Sequence, residues 1–203
     1  MGRSAHPGGQ GRAPWQFLKS ASCVVGPGAE IPLPAYSRSV DWEAEIAVVI
    51  GMPARDVPVE RAMEHVAGFT IINDLSARDF LKRANVPAGS PFAYDWLSQK
   101  CFDGACPMGP WLTPRERIPD PDDMKIELWV NDCLKQDSTS RNLIFTAAEQ
   151  VAYLSTRLTL RPGDVIATGT PAGVGMARGE FLKPGDEVRI RIGGIGELRH
   201  RMV

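Results

Sequence analysis

The chain has 203 residues, 43% of them hydrophobic and 23% charged, with 23 Lys plus Arg against 24 Asp plus Glu. That balance places the bulk of the chain among globular proteins rather than disordered ones. There is no basic excess for nucleic acid, and no apolar run approaches the about 18 residues that span a bilayer.

Residues 1–14 are rich in Gly, Pro and Arg and are expected to be poorly ordered, with a single domain following over 15–203. The opening MGRSAHPGGQGR has no apolar core and does not read as a secretory signal. Val40–Ile50 is β-branched and partly alternating, which predicts a strand. Residues 58–66 predict a short helix, with Pro58 at its start and Gly68 past its end. Gly68–Asn73 predicts a second strand, after which Ser76 and Asp79 suggest a helix start. Residues 84–97 read as a long irregular loop carrying Phe92, Tyr94 and Trp96.

Further along, Lys125–Val130 and Cys133–Gln136 predict a hairpin about Asn131-Asp132. Thr146 and Glu149 form a capping box for a helix over 147–159. A strand at Val165–Thr168 and a hairpin of Glu187–Ile192 with Glu197–Met202 close the chain. Strands outnumber helices without strand–helix alternation, so the expected class is α+β and β-rich. Cys23, Cys101, Cys106 and Cys133 include no Cys-x-x-Cys pair. They are expected to be free, buried thiols in a reducing, cytoplasmic setting.

Glu43 and Glu45 stand two apart, so on a strand they share a face. Two carboxylates side by side repel, and partial burial worsens the repulsion, so a cation should compensate. Alone, the pair also suits a solvated strand edge. Asp74, at the end of the second strand, also suits a helix N-cap. Together the three offer oxygen donors that favour a hard ion, Mg²⁺, Mn²⁺ or Ca²⁺.

Asp41-Trp-Glu-Ala-Glu-Ile-Ala-Val-Val-Ile-Gly51, Asn73-Asp-Leu-Ser-Ala-Arg-Asp79, Lys100 and Thr168-Gly-Thr-Pro-Ala-Gly-Val-Gly175 occur in that order. The set resembles the fumarylacetoacetate hydrolase family over about residues 15–203. The resemblance implies layered mixed β-sheets and a homodimer. It implies one Mg²⁺ or Mn²⁺ held by Glu43, Glu45 and Asp74. It makes Arg78 and Lys100 catalytic groups near the substrate's carboxylate or carbonyl oxygens, with Thr170 also contacting substrate. The implied reaction is hydrolysis of a carbon–carbon bond in a diketo or acylpyruvate-type acid, in catabolism of aromatic compounds or sugars. A chelated oxo acid equally supports decarboxylation or isomerisation, since all three pass through an enolate.

Two departures from the family pattern stand out. Many members carry His-x-x-Glu upstream of the first metal strand, whereas here the upstream histidine is His6, followed by Gly9 at the fourth position. This leaves a third reading, a metal-binding remnant without its catalytic lid. Phe80-Leu81 stands where many relatives offer a glutamine, and the loop aromatics are expected to shape the pocket instead.

Overall fold

Two apolar runs pair at the centre of the molecule and position everything that follows. The structure, a computed structural model, describes residues 13–203; the expectations for residues 1–12, His6 among them, lie outside the described residues. In chain order the strands are β1 (Val24–Val25), β2 (Glu30–Ile31), β3 (Val40–Asp41), β4 (Ala44–Ile50), β5 (Val66–Asn73) and β6 (Ser76–Ala77). They continue as β7 (Cys106–Pro114), β8 (Lys125–Val130), β9 (Cys133–Thr139), β10 (Val165–Ala167), β11 (Glu187–Ile192) and β12 (Gly196–Met202). Three short helices, α1 (Val59–Ala62), α2 (Trp96–Lys100) and α3 (Ala147–Ser155), interrupt them.

One sheet runs β1-β7-β5-β4-β10, a second runs β2-β12-β11-β8-β9, and β3 pairs with β6 alone. The pairs β1–β7 and β2–β12 are parallel and the others antiparallel. Strands β4, β5 and β7 pack against β8, β11 and β12 across a shared core. The fold is thus α+β, strand-rich and layered, as expected.

Both faces of β4 and β5 are covered, which is why these strands read as near-continuous apolar runs. Polar residues within such a run are buried with it. Glu45 on β4 is 4% exposed and Asp74, just past β5, is 1% exposed.

Several local expectations are corrected. The predicted strand over 40–50 breaks at Trp42 and Glu43. Side chains take the backbone there: Trp42 N donates to its neighbour Asp41, Glu43 N to Asn73 Oδ1 and Ala44 N to Gln136 Oε1. No helix is capped by Ser76. Its hydroxyl donates to Asp74 O, and the chain makes a two-residue strand and a 3₁₀ turn. Asp79 instead accepts from Ser37 Oγ and Arg38 N. The capping box of Thr146 and Glu149 forms, but α3 stops at Ser155, four residues short of the expected 159. Ser155 and Thr156 hydroxyls fold back onto Ala152 O and Tyr153 O. All four cysteines are free, yet Cys133 is exposed and Cys101 partly so, because Cys133 opens the edge strand β9. No helix among the described residues is long and apolar enough to cross a membrane.

Candidate metal centre

The end of the β4–β5 pair assembles the acidic residues. Ala44 lies opposite Asn73, and Asp74 N donates to Glu43 O at 2.9 Å, so the residues flanking this pair are held side by side. Glu43, Glu45 and Asp74 each bring a carboxylate oxygen to within 4.8 Å of the others, and all three are buried. The solvated-edge reading of Glu43 and Glu45 is therefore wrong, as is the N-cap reading of Asp74.

Cations surround two of the three. Lys100 Nζ donates to Glu43 Oε2 at 2.8 Å and to Asp74 Oδ2 at 2.6 Å. Lys19 Nζ donates to Asp74 Oδ1 at 2.7 Å. Arg78 donates through Nε to Asp41 Oδ2 at 2.9 Å and through Nη2 to Glu43 Oε1 at 2.5 Å. Glu45 has no ion pair among the described residues; it accepts the backbone N–H of Gly169 at 2.7 Å.

The electrostatics follow this arrangement. Burial pushes the Glu45 carboxyl well above the usual range, and the charges of Asp74 and Glu43 push it further. Burial also raises Glu43, against the pull of Lys100. For Asp74 burial acts upward too, but Lys100 and Lys19 outweigh it and hold the carboxyl low. Lys100 is itself buried, which favours the neutral amine, yet Glu43 and Asp74 prevail and raise it. With Asp41 included, four buried carboxyls face three cations, and the uncompensated one is Glu45.

This donor set fits a hard divalent cation. The oxygens converge, the site is buried, and the strained carboxyl is the one that a dication would relieve.

The structure places the other sequence-predicted residues as follows. Arg78 and Lys100 join the cluster. The Thr170 hydroxyl donates to Ala44 O at 2.9 Å and accepts from Gln136 Nε2 at 2.8 Å, so it braces the backbone between Glu43 and Glu45.

Lys19, Asp41, Asn73 and Gln136 were not identified from the sequence. Asp41 is fully buried and accepts from Trp42 N, Gly175 N and Met176 N, tying the glycine-rich turn beneath Arg78. Its place beside Trp42-Glu43 in the quoted motif was the available signal. Lys19 meets Asp74 across 55 residues, a separation no local pattern reveals.

Comparisons with known proteins place these features in context. A profile of the fumarylacetoacetate (FAA) hydrolase C-terminal domain matches residues 2–203. The human protein "Oxaloacetate tautomerase FAHD2B, mitochondrial" is 43% identical over 194 residues, which is 95% of this chain and 60% of that protein. Among solved structures, 2-hydroxyhepta-2,4-diene-1,7-dioate isomerase from Mycobacterium marinum is 38% identical with a TM-score of 0.84, covering 96% of this chain and 70% of its own. Fumarylpyruvate hydrolase from Pseudomonas aeruginosa, solved with Mn²⁺ and pyruvate, is 34% identical with a TM-score of 0.84, covering 95% and 79%. The chain thus spans about 60% of the length of the curated relatives it matches.

Proposed function

The chain belongs to the fumarylacetoacetate hydrolase family, and on that premise we propose that it is a divalent-cation-dependent enzyme of oxo acids, hydrolysing a carbon–carbon bond in a diketo or acylpyruvate-type substrate. The observation that carries this reading is the convergence of Glu43, Glu45 and Asp74 within 4.8 Å in a buried site ringed by cations. Mg²⁺ or Mn²⁺ suits these all-oxygen donors; Ca²⁺ shares the same preference. When bound, the ion supplies Lewis-acid polarisation of the oxo group and offsets the negative charge that develops on the substrate's oxygens.

The chain's own residues do the rest. Glu43, Glu45 and Asp74 hold the ion, with Glu45 aimed by Gly169 N and Glu43 by the Arg78 fork. Lys100 reaches both Glu43 and Asp74, which sets its ammonium beside the ion site as a hydrogen-bond donor and counter-charge for an anionic substrate. Arg78 offers a guanidinium beside the same site, suited to a carboxylate or carbonyl oxygen. Thr170 positions the Glu43–Glu45 backbone through Ala44 O. Burial of the whole cluster excludes bulk water and strengthens each of these interactions.

A second reading has a specific observation in its favour. The 43%-identical human relative carries the name of an oxaloacetate tautomerase, and the Mycobacterium marinum relative that of an isomerase. Tautomerisation, isomerisation or decarboxylation of an oxo acid would use the same donors.

Product analysis by NMR in ¹⁸O-labelled water, with Mn²⁺ and a panel of acetopyruvate and oxaloacetate, separates these outcomes. Label in a new carboxylate supports hydrolysis. Altered keto–enol exchange or carbon dioxide release without such label supports the second reading. Protein that binds no divalent ion and turns over neither acid contradicts both.

A further inference from the structure

One buried histidine takes no part in the ion cluster and sits where the strand pattern calls for an apolar side chain. On β12 the inward-facing positions are Leu198, His200 and Met202, all buried in the shared core. His200 Nε2 lies 2.8 Å from Asn73 Nδ2, and its Nδ1 is buried with no partner. An unpaired buried polar atom lowers stability, and an apolar residue here would avoid that cost. A core position that departs from its pattern in this way asks for a role outside packing.

That role begins with Asn73. It ends β5, next to Asp74, and its Oδ1 accepts the backbone N–H of Glu43 at 2.9 Å. Asp74 N donates to Glu43 O, also at 2.9 Å. The dipeptide Asn73-Asp74 therefore grips both backbone polar groups of Glu43, at the break between β3 and β4 where the regular ladder has stopped. One carboxylate of the trio belongs to the gripping dipeptide and another to the gripped residue.

A primary amide can turn over and exchange its oxygen for its nitrogen. Only one orientation serves the Glu43 N–H; in the other, two donors face each other. His200 Nε2, as a lone-pair acceptor for Asn73 Nδ2, selects the useful one. That choice puts the ring's proton on Nδ1 and accounts for the unpaired atom there. The next backbone N–H is held in the same manner. Gln136 Oε1 accepts from Ala44 N, while Gln136 Nε2 donates to Thr170 Oγ1 and Pro171 O.

Resting on the reading of Glu43, Glu45 and Asp74 as the ion's ligands, we propose that Asn73 and His200 are positioning residues of the metal centre. The histidine fixes the amide, and the amide fixes the Glu43 backbone relative to Asp74. Neither serves as a ligand. Removing groups that orient metal ligands typically costs about tenfold to a hundredfold in affinity.

The test is calorimetric titration of Mn²⁺ alone into the metal-free parent, His200→Leu and His200→Gln. Leu fills the core position but offers no acceptor, and affinity should fall about tenfold. Gln offers an oxygen in place of Nε2 and should stay within about threefold of the parent. A role in packing alone predicts the reverse order. Binding by His200→Leu equal to the parent's, or weaker binding by Gln than by Leu, overturns the proposal. Two further readouts carry the test should either variant fail to fold. Asn73→Ala should also lose about tenfold in affinity, and binding equal to the parent's overturns the proposal. In the unsubstituted protein at neutral pH, long-range ¹H–¹⁵N NMR of the ring should show Nδ1 protonated and Nε2 bare; a proton on Nε2 overturns it. A parent that binds no Mn²⁺ overturns the ligand reading and the positioning role with it.

Discussion

Single side chains set the charge balance of the site, and their contributions differ in kind. Glu43, Glu45 and Arg78 were legible because they sit inside ordered motifs. Lys100 was legible only by its place among those motifs, and Lys19 not at all. Lys100 bridges Glu43 and Asp74 while 3% exposed. Removing one partner of a buried ion pair leaves uncompensated charge, at a cost of about 3–5 kcal/mol. Lys100→Met should therefore lower the stability of the metal-free protein by that order, recover part of it on Mn²⁺ loading, and cut kcat/KM for oxo acids at least about tenfold. Denaturant melts with and without Mn²⁺, beside initial rates, check this; unchanged melts and rates would remove Lys100 from the site. His200 behaves differently. It is 2% exposed, accepts from Asn73 Nδ2 at 2.8 Å, and has a buried Nδ1 with no partner. Burial holds its pKa down to about 4 from an ordinary 6.5. The unfolded chain therefore takes up a proton that the folded one refuses. Stability present above about pH 6.5 is lost as pH falls toward 4, by about 3 kcal/mol in full. Replacing His200 by Gln should flatten the stability–pH curve over that window, and parallel curves for the two proteins would contradict it.

At the scale of elements, regular hydrophobic patterning revealed most strands. The hairpin turn at Asn131 and Asp132 takes positive φ at both residues, as the Asn-Asp pair suggested. The strand β7 was missed because Pro107, Pro110 and Pro114 break its pattern. It still joins the sheet, through β1 on one side and β5 on the other, with an irregularity between Phe69 and Ile71. The break between β3 and β4 was also hidden, since it depends on Asn73 and Gln136 reaching in from distant segments. The glycine-rich turn near residue 175 shows what such a segment requires. A Cβ at Gly175 would run into Glu180 O and lie 2.9 Å from Asp41 Oδ1 and from the Trp42 ring. Gly175→Ala should thus destabilise by about 1–3 kcal/mol through overpacking and weaken the Asp41–Arg78 anchor. A thermal melt unchanged from the parent would contradict that. At α3, Thr146→Ala should remove the capping box at a cost of about 1 kcal/mol, read from the denaturant midpoint.

For the molecule as a whole, the two packed sheets serve to bring acidic residues from the ends of neighbouring strands into one buried place. Four ordered motifs made this architecture recognisable, since each fixes a different wall of the site. What the sequence left open was the segment that returns Lys19 to the cluster. Convergence of the acidic trio is the claim on which the functional reading depends. It is tested most directly by calorimetric titration of Mn²⁺ into the parent protein and into Asp74→Asn, which keeps the shape of the side chain and removes its charge. One site per chain is predicted for the parent, with affinity reduced at least about a hundredfold in the variant, the loss expected for a missing charged ligand in a buried site. Equal binding in the two proteins, or none in either, would contradict the account.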